Sequence, residues 1–71
     1  MSRSQYLVAP IAQGWMLRSG PVPLRWFPTK RQALSFGVQC ASRNRPSELL
    51  IRRPDGSMED RRSYVATSAT G

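Results

Sequence analysis

Apolar and polar positions change rhythm several times along the chain, and each change predicts an element. Gln5 to Ala9 (QYLVA) is rich in residues that suit a pleated surface and predicts a strand. PIAQG follows as a turn region, because Pro10 cannot donate to a ladder and Gly14 tolerates a positive φ. Trp15 to Arg18 predicts a second strand, with Trp15 and Leu17 on one face and Met16 and Arg18 on the other. The loop SGPVP at residues 19–23 leads to a third short strand, Leu24 to Phe27, which Pro28 ends.

Helical spacing then takes over. Thr29 is followed three residues later by Gln32, a capping-box pattern in which each residue serves the other's backbone amide. Ala33, Leu34, Gly37, Val38 and Ala41 share one face of a helix expected from about residue 30 to 43. Small residues dominate that face, so the helix should lie close to a sheet, with Gly37 allowing near contact. Pro46 disfavours helical geometry at Arg45 and closes the helix.

Glu48 to Arg53 and Met58 to Tyr64 predict two more strands around Pro54-Asp55-Gly56, a type I turn followed by a left-handed glycine. This loop would set Met58 opposite Arg52, Asp60 opposite Leu50 and Glu48 opposite Arg62. The expected fold class is α+β: an antiparallel sheet of about four to five short strands in the order β-β-β-α-β-β, with one helix packed on one face. The expected domain covers residues 5–64, between a tail at 1–4 and a flexible tail at 65–71. Leu49-Leu50-Ile51 is continuous rather than alternating, as in strands covered on both faces. A second copy of the chain is one candidate cover, which makes a homodimer an open expectation. Long neighbouring side chains are the other.

The order of these signals resembles the small bacterial family called domain of unknown function 2188. The likeness rests on Val8-Ala9-Pro10, Gly14-Trp15, Phe27-Pro28-Thr29-Lys30 before an alanine-bearing helix, Glu48-Leu49-Leu50-Ile51, Asp55-Gly56, and an arginine-rich stretch ending in Tyr64. It covers residues 6–64. The loop at 19–26 with Trp26, and Phe36 and Cys40 in the helix, depart from the family pattern. The resemblance implies a compact α+β fold of antiparallel strands and one helix. It implies no activity and transfers no functional residue.

Composition narrows the chemistry. At 71 residues a hydrophobic core is marginal unless something supports it. Cys40 is the sole cysteine, so no disulfide forms within the chain and a reduced, cytoplasmic setting fits. Histidine is absent, so neither a zinc site nor a Cys-His nucleophile pair is expected. Cys40 falls late in the helix and suits a small apolar filler. Glu59 and Asp60 are adjacent on a strand, point to opposite faces, and are flanked by arginines that compete for their oxygens, which argues against a cation site. No catalysis, cofactor or metal is expected. The apolar run near the N-terminus is interrupted at Pro10, too early for a signal peptide or a span, and no membrane association is expected.

Charge points the other way, toward a partner. The net charge is +7, and all of it lies in residues 1–47, which contain no acid. From residue 48 onward four arginines balance four acids. Such asymmetry suggests an anionic partner, nucleic acid ahead of an acidic protein surface. The candidate contacts are Arg18, Arg25, Trp26, Lys30, Arg31, Arg43 and Arg45. Arg25-Trp26 is the sharpest of these if the indole is exposed as a stacking surface rather than packed in the core. Lys30 and Arg31 oppose the helix dipole, which a docked anion would relieve.

Overall fold

The computed structural model describes residues 4–65. Five strands and one helix follow the expected order: β1 (Ser4–Ile11), β2 (Gly14–Ser19), β3 (Val22–Phe27), α1 (Lys30–Arg43), β4 (Ser47–Arg52) and β5 (Met58–Tyr64). The fold is α+β, with one five-stranded sheet in the spatial order β3-β2-β1-β4-β5. The expected terminal tails lie outside the described residues, apart from Ser4, which opens β1, and Val65.

The sheet is mixed, which corrects the expectation of a purely antiparallel one. β1 and β4 are parallel neighbours, with Leu7 beside Leu50 and Val8 beside Ile51. The direction follows from the connections. β1, β2 and β3 form a meander, so β1 and β3 run the same way. α1 carries the chain back over the sheet, and β4 sets out again in the direction of β3. Placed beside β1, it has to be parallel to it.

α1 begins and ends by local chemistry. Thr29 is the N-cap, and its Oγ1 accepts from the Gln32 amide at 3.3 Å. The other half of the predicted box differs, because the Gln32 side chain takes the Thr29 hydroxyl proton instead of the Thr29 amide proton. At the far end the Asn44 amide donates to the carbonyls of Cys40 and Ala41, and the buried Ser47 hydroxyl donates to the Ala41 carbonyl at 2.6 Å. The Cys40 and Ala41 carbonyls near the end of the helix are thereby satisfied.

The face of small residues does what its pattern predicts. Ala33, Gly37 and Ala41 are buried, and α1 lies over β1, β2 and β4. A methyl group on Gly37 would meet Leu49 Cδ1 at 3.1 Å and Val8 Cγ2 at 3.4 Å. The core is Tyr6, Val8, Leu17, Phe27, Ala33, Ala41, Leu49 and Ile51, edged by Trp15, Leu34, Phe36, Val38, Cys40 and Tyr64. Burial pushes the Tyr6 phenol pKa up, and nearby Cys40 adds to the shift.

The β4–β5 hairpin departs from its predicted register by one residue. The turn itself matches: Gly56 donates to Arg53, Arg53 donates to Ser57, and Gly56 has a positive φ. Arg52 pairs with Met58 as expected. A bulge then intervenes, so Ile51, not Leu50, faces Asp60, and Glu48 faces Ser63 rather than Arg62. Glu59 is the extra residue. Because side chains alternate, this one-residue slip exchanges the faces of everything after it.

Candidate functional site

The helix covers one face of the sheet and leaves the other without a covering element among the described residues. Register identifies the residues on that open face. Val8, Leu17 and Leu49 point to the helix, where they surround Gly37. Their strand neighbours Leu7, Arg18 and Leu50 therefore point away. Strand pairing aligns Arg61, Leu50, Leu7 and Arg18 in one row across β5, β4, β1 and β2. Two half-buried leucines sit in the middle, with an arginine at each end. A neighbouring row carries Ala9, Met16 and Trp26, and Arg52 pairs with Met58 on the same face.

Trp26 is the largest exposed group of this face, at 47% exposure. Its indole is held in place. Nε1 donates to the Gln13 carbonyl at 3.2 Å, and the ring lies against Gly14, where a Cβ would come within 2.7 Å of Nε1. The glycine that opens β2 thus makes room for the tryptophan that nearly ends β3. Exposure with a fixed orientation gives a preorganised stacking surface.

Glu48 is the acid of the open face, and it is 3% exposed. It accepts from Arg61 Nε and from Gln5 Nε2. Asp60 and Glu59 are engaged elsewhere, Asp60 with Arg62 and Glu59 with Lys30. Asp55 closes the turn by accepting from both the amide and the hydroxyl of Ser57. Those bonds hold the Asp55 carboxyl below its ordinary pKa range, and the Arg61 amide with the Arg62 side chain does the same for Asp60. Arg18 and Arg52 have no carboxylate partner among the described residues. They donate instead to the carbonyls of Pro21 and Gly56.

The seven residues picked from the sequence occupy different places. Arg18 and Trp26 share the open face. Arg25 turns to the helix side, with its guanidinium 5.5 Å from the Phe27 ring and 5.2 Å from the Phe36 ring. Lys30 is bound by Glu59 and lies 5.7 Å from the Trp15 ring, so the anion that relieves the helix start is internal. Arg31 lines a shallow groove of about 560 Å³ with Leu34, Ser35, Val38, Gln39 and Arg62. Arg43 and Arg45 stand at the opposite end of the helix, roughly 20 Å from Lys30 by helical rise. Arg45 stacks on Tyr64 at 5.3 Å and donates to Ser42 and Val65.

Sequence reasoning passed over Arg52 and Arg61, because the acids around them balance their charge. The available signal was the alternation of β4, which puts Leu50 and Arg52 on one face. The bulge that carries Arg61 to that face, and Asp60 off it, leaves no such signal. Among the described residues no group of three His, Cys, Asp or Glu side chains is placed to hold a metal, and no helix is long and apolar enough to cross a membrane.

Fold and face together define the class: a small basic α+β protein with an aromatic and arginine-bearing sheet surface. More particularly, the chain belongs to a family described as an uncharacterized protein conserved in bacteria, DUF2188, whose model matches residues 6–64. No curated protein and no solved structure matches it significantly.

Proposed function

We propose that this protein binds nucleic acid, without catalysis, through the helix-free face of its sheet. The observation that carries the reading is the row Arg61–Leu50–Leu7–Arg18 beside an exposed, fixed indole. Arginines supply phosphate contacts, and aromatic and apolar groups between them supply surface for bases. The acids that could neutralise this surface are drawn to the turn and to the helix side, except Glu48, which is buried beneath Arg61. Arg18 and Arg52 keep a positive field over the face. The net charge of +7 adds long-range attraction for a polyanion.

A cytoplasmic setting accords with the single cysteine. An acidic protein surface is the competing partner, and salt dependence separates the two. Fluorescence anisotropy of the full chain with labelled DNA and RNA should show binding at low salt. Phosphate contacts at Arg18 and Arg52 give a log–log salt slope of roughly −1.4 to −1.8. No complex with any nucleic acid at low salt would overturn the proposal.

A further inference from the structure

We infer that the ligand of this face is a single strand, not a duplex, with its bases laid on the Trp26–Met16–Leu7–Leu50 surface and its phosphates at Arg18 and Arg52. The inference rests on the nucleic-acid reading above and specifies its ligand.

Width is the first reason. Five strands span four spacings of about 4.8 Å, roughly 19 Å in all. The major groove of a duplex is about 12 Å wide and admits a helix or a two-stranded ribbon. This sheet is too broad to enter it, so a duplex could meet the face only with its outer phosphates. The second reason is what lies at the centre. Leu7, Leu50, Ala9 and Met16 occupy the middle of the face, between the arginines. Against a duplex they would strip water from phosphates and give no hydrogen bond in return, which is unfavourable. A single strand instead offers the flat faces of unpaired bases, which apolar and aromatic side chains accept regardless of sequence.

Trp26 is suited to the first stack. Its hydrogen bond to Gln13 and its seat on Gly14 fix the plane before a ligand arrives, so little freedom is lost on binding. The charge arrangement also disfavours a second copy of this chain on the same face. Arg18 and Arg52 of each copy would meet like charges with no carboxylate partner from the described residues, except the buried Glu48 already engaged by Arg61.

The experiment uses the full chain with a labelled oligothymidine of about twelve nucleotides, within the ~4–16 range covered by single-strand-binding sheets, and the same strand annealed to its complement. Anisotropy should show the single strand binding at least about tenfold tighter than the duplex. Trp26→Ala should weaken single-strand binding roughly 5- to 150-fold, the range that stacking of one base covers, and Trp26→Phe should fall between it and the parent. Arg18→Gln should weaken binding and lower the salt slope by about 0.7. Arg43→Gln, with the same change in charge at the far end of the helix, should change affinity less than about twofold. Amide and indole shift mapping of the unmutated protein supplies a readout independent of folding, and perturbations should centre on Leu7, Met16, Arg18, Trp26 and Leu50.

Equal or tighter duplex binding would overturn the single-strand assignment and leave nucleic-acid binding standing. Shifts centred on Arg31, Leu34 and Val38 would overturn the choice of face. No binding of either form would overturn both readings at once.

Discussion

Replacing Gly14 with alanine is the most severe small change that the structure allows on the open face. Gly14 has a φ of +144°, in a region essentially reserved for glycine. Holding an L-residue there costs about 1–3 kcal/mol. Sterics add to this. The new Cβ would lie 2.5 Å from the Phe27 carbonyl oxygen and 2.7 Å from Trp26 Nε1. The indole could swing away, but the carbonyl belongs to the β2–β3 ladder, where Trp15 pairs with Phe27. Overpacking against backbone costs a further ~1–3 kcal/mol. The sum, about 2–6 kcal/mol, is a large share of the whole stability of a 71-residue domain at ~0.05–0.15 kcal/mol per residue. A thermal melt followed by circular dichroism should fall by at least about 8 °C, at 4–8 °C per kcal/mol. Trp26→Ala in the same background should restore little, since the backbone clash remains. A melting point within about 3 °C of the parent would refute both the strain and the packing argument. The seat of Trp26 on Gly14 would then have to be abandoned.

Other changes test the core, the caps and the charges. Gly37→Ala should destabilise by about 1 kcal/mol in urea titrations, although the same change in an exposed helix stabilises by about that amount, because Leu49 and Val8 already fill the space. A stabilised variant would refute the close approach. Leu17→Ala empties a fully buried position and should cost about 2–5 kcal/mol, leaving much of the population unfolded at 37 °C. Ser47→Ala removes the buried bond to the Ala41 carbonyl and should cost about 1–2 kcal/mol, with faster hydrogen exchange in the last turn of α1. Acid should destabilise through Asp55 and Asp60. Their folded-state pKa values are depressed, so their contribution is present above the unfolded value of about 3.9 and is lost as pH falls through the lower folded values. Melts from about pH 5 to pH 2 should show a shallower acid limb in the Asp55→Asn, Asp60→Asn double variant; an unchanged limb would sink the assignment.

Much of the fold was legible because local signals agreed with one another. Thr29, Gln32 and the small residues at 33, 37 and 41 set the helix to the residue, and Pro-Asp-Gly set the turn. Strand direction was not legible, since an apolar strand looks the same whichever way its neighbour runs. β4 is parallel to β1 only because β1 occupies the middle of the sheet, and nothing in residues 4–11 announces that place. The continuous Leu49-Leu50-Ile51 divides between the two faces. Leu49 and Ile51 enter the core, and Leu50 is half-buried on the open face in the row between Leu7 and Arg61.

The candidate surface was harder to read, because it depends on one bulge. With the unbroken register expected from the sequence, Asp60 would oppose Leu50 and place a carboxylate in the centre of the open face. With Glu59 as the extra residue, Asp60 turns to the helix side and pairs with Arg62, while Arg61 takes its place over Leu50. Glu59 itself reaches Lys30 at the start of α1. The same residue that shifts the register thus answers the helix start, where the first turn has no acid of its own. Counting charges from Glu48 through RRPDGSMEDRRSY gives neutrality, whereas sorting them by face puts Arg52 and the Arg61–Glu48 pair on the open side and the Glu59 and Asp60 carboxylates in ion pairs on the other. Charge balance in a strand is therefore a property of each face, and a formally neutral hairpin can still present a cationic surface to a polyanion.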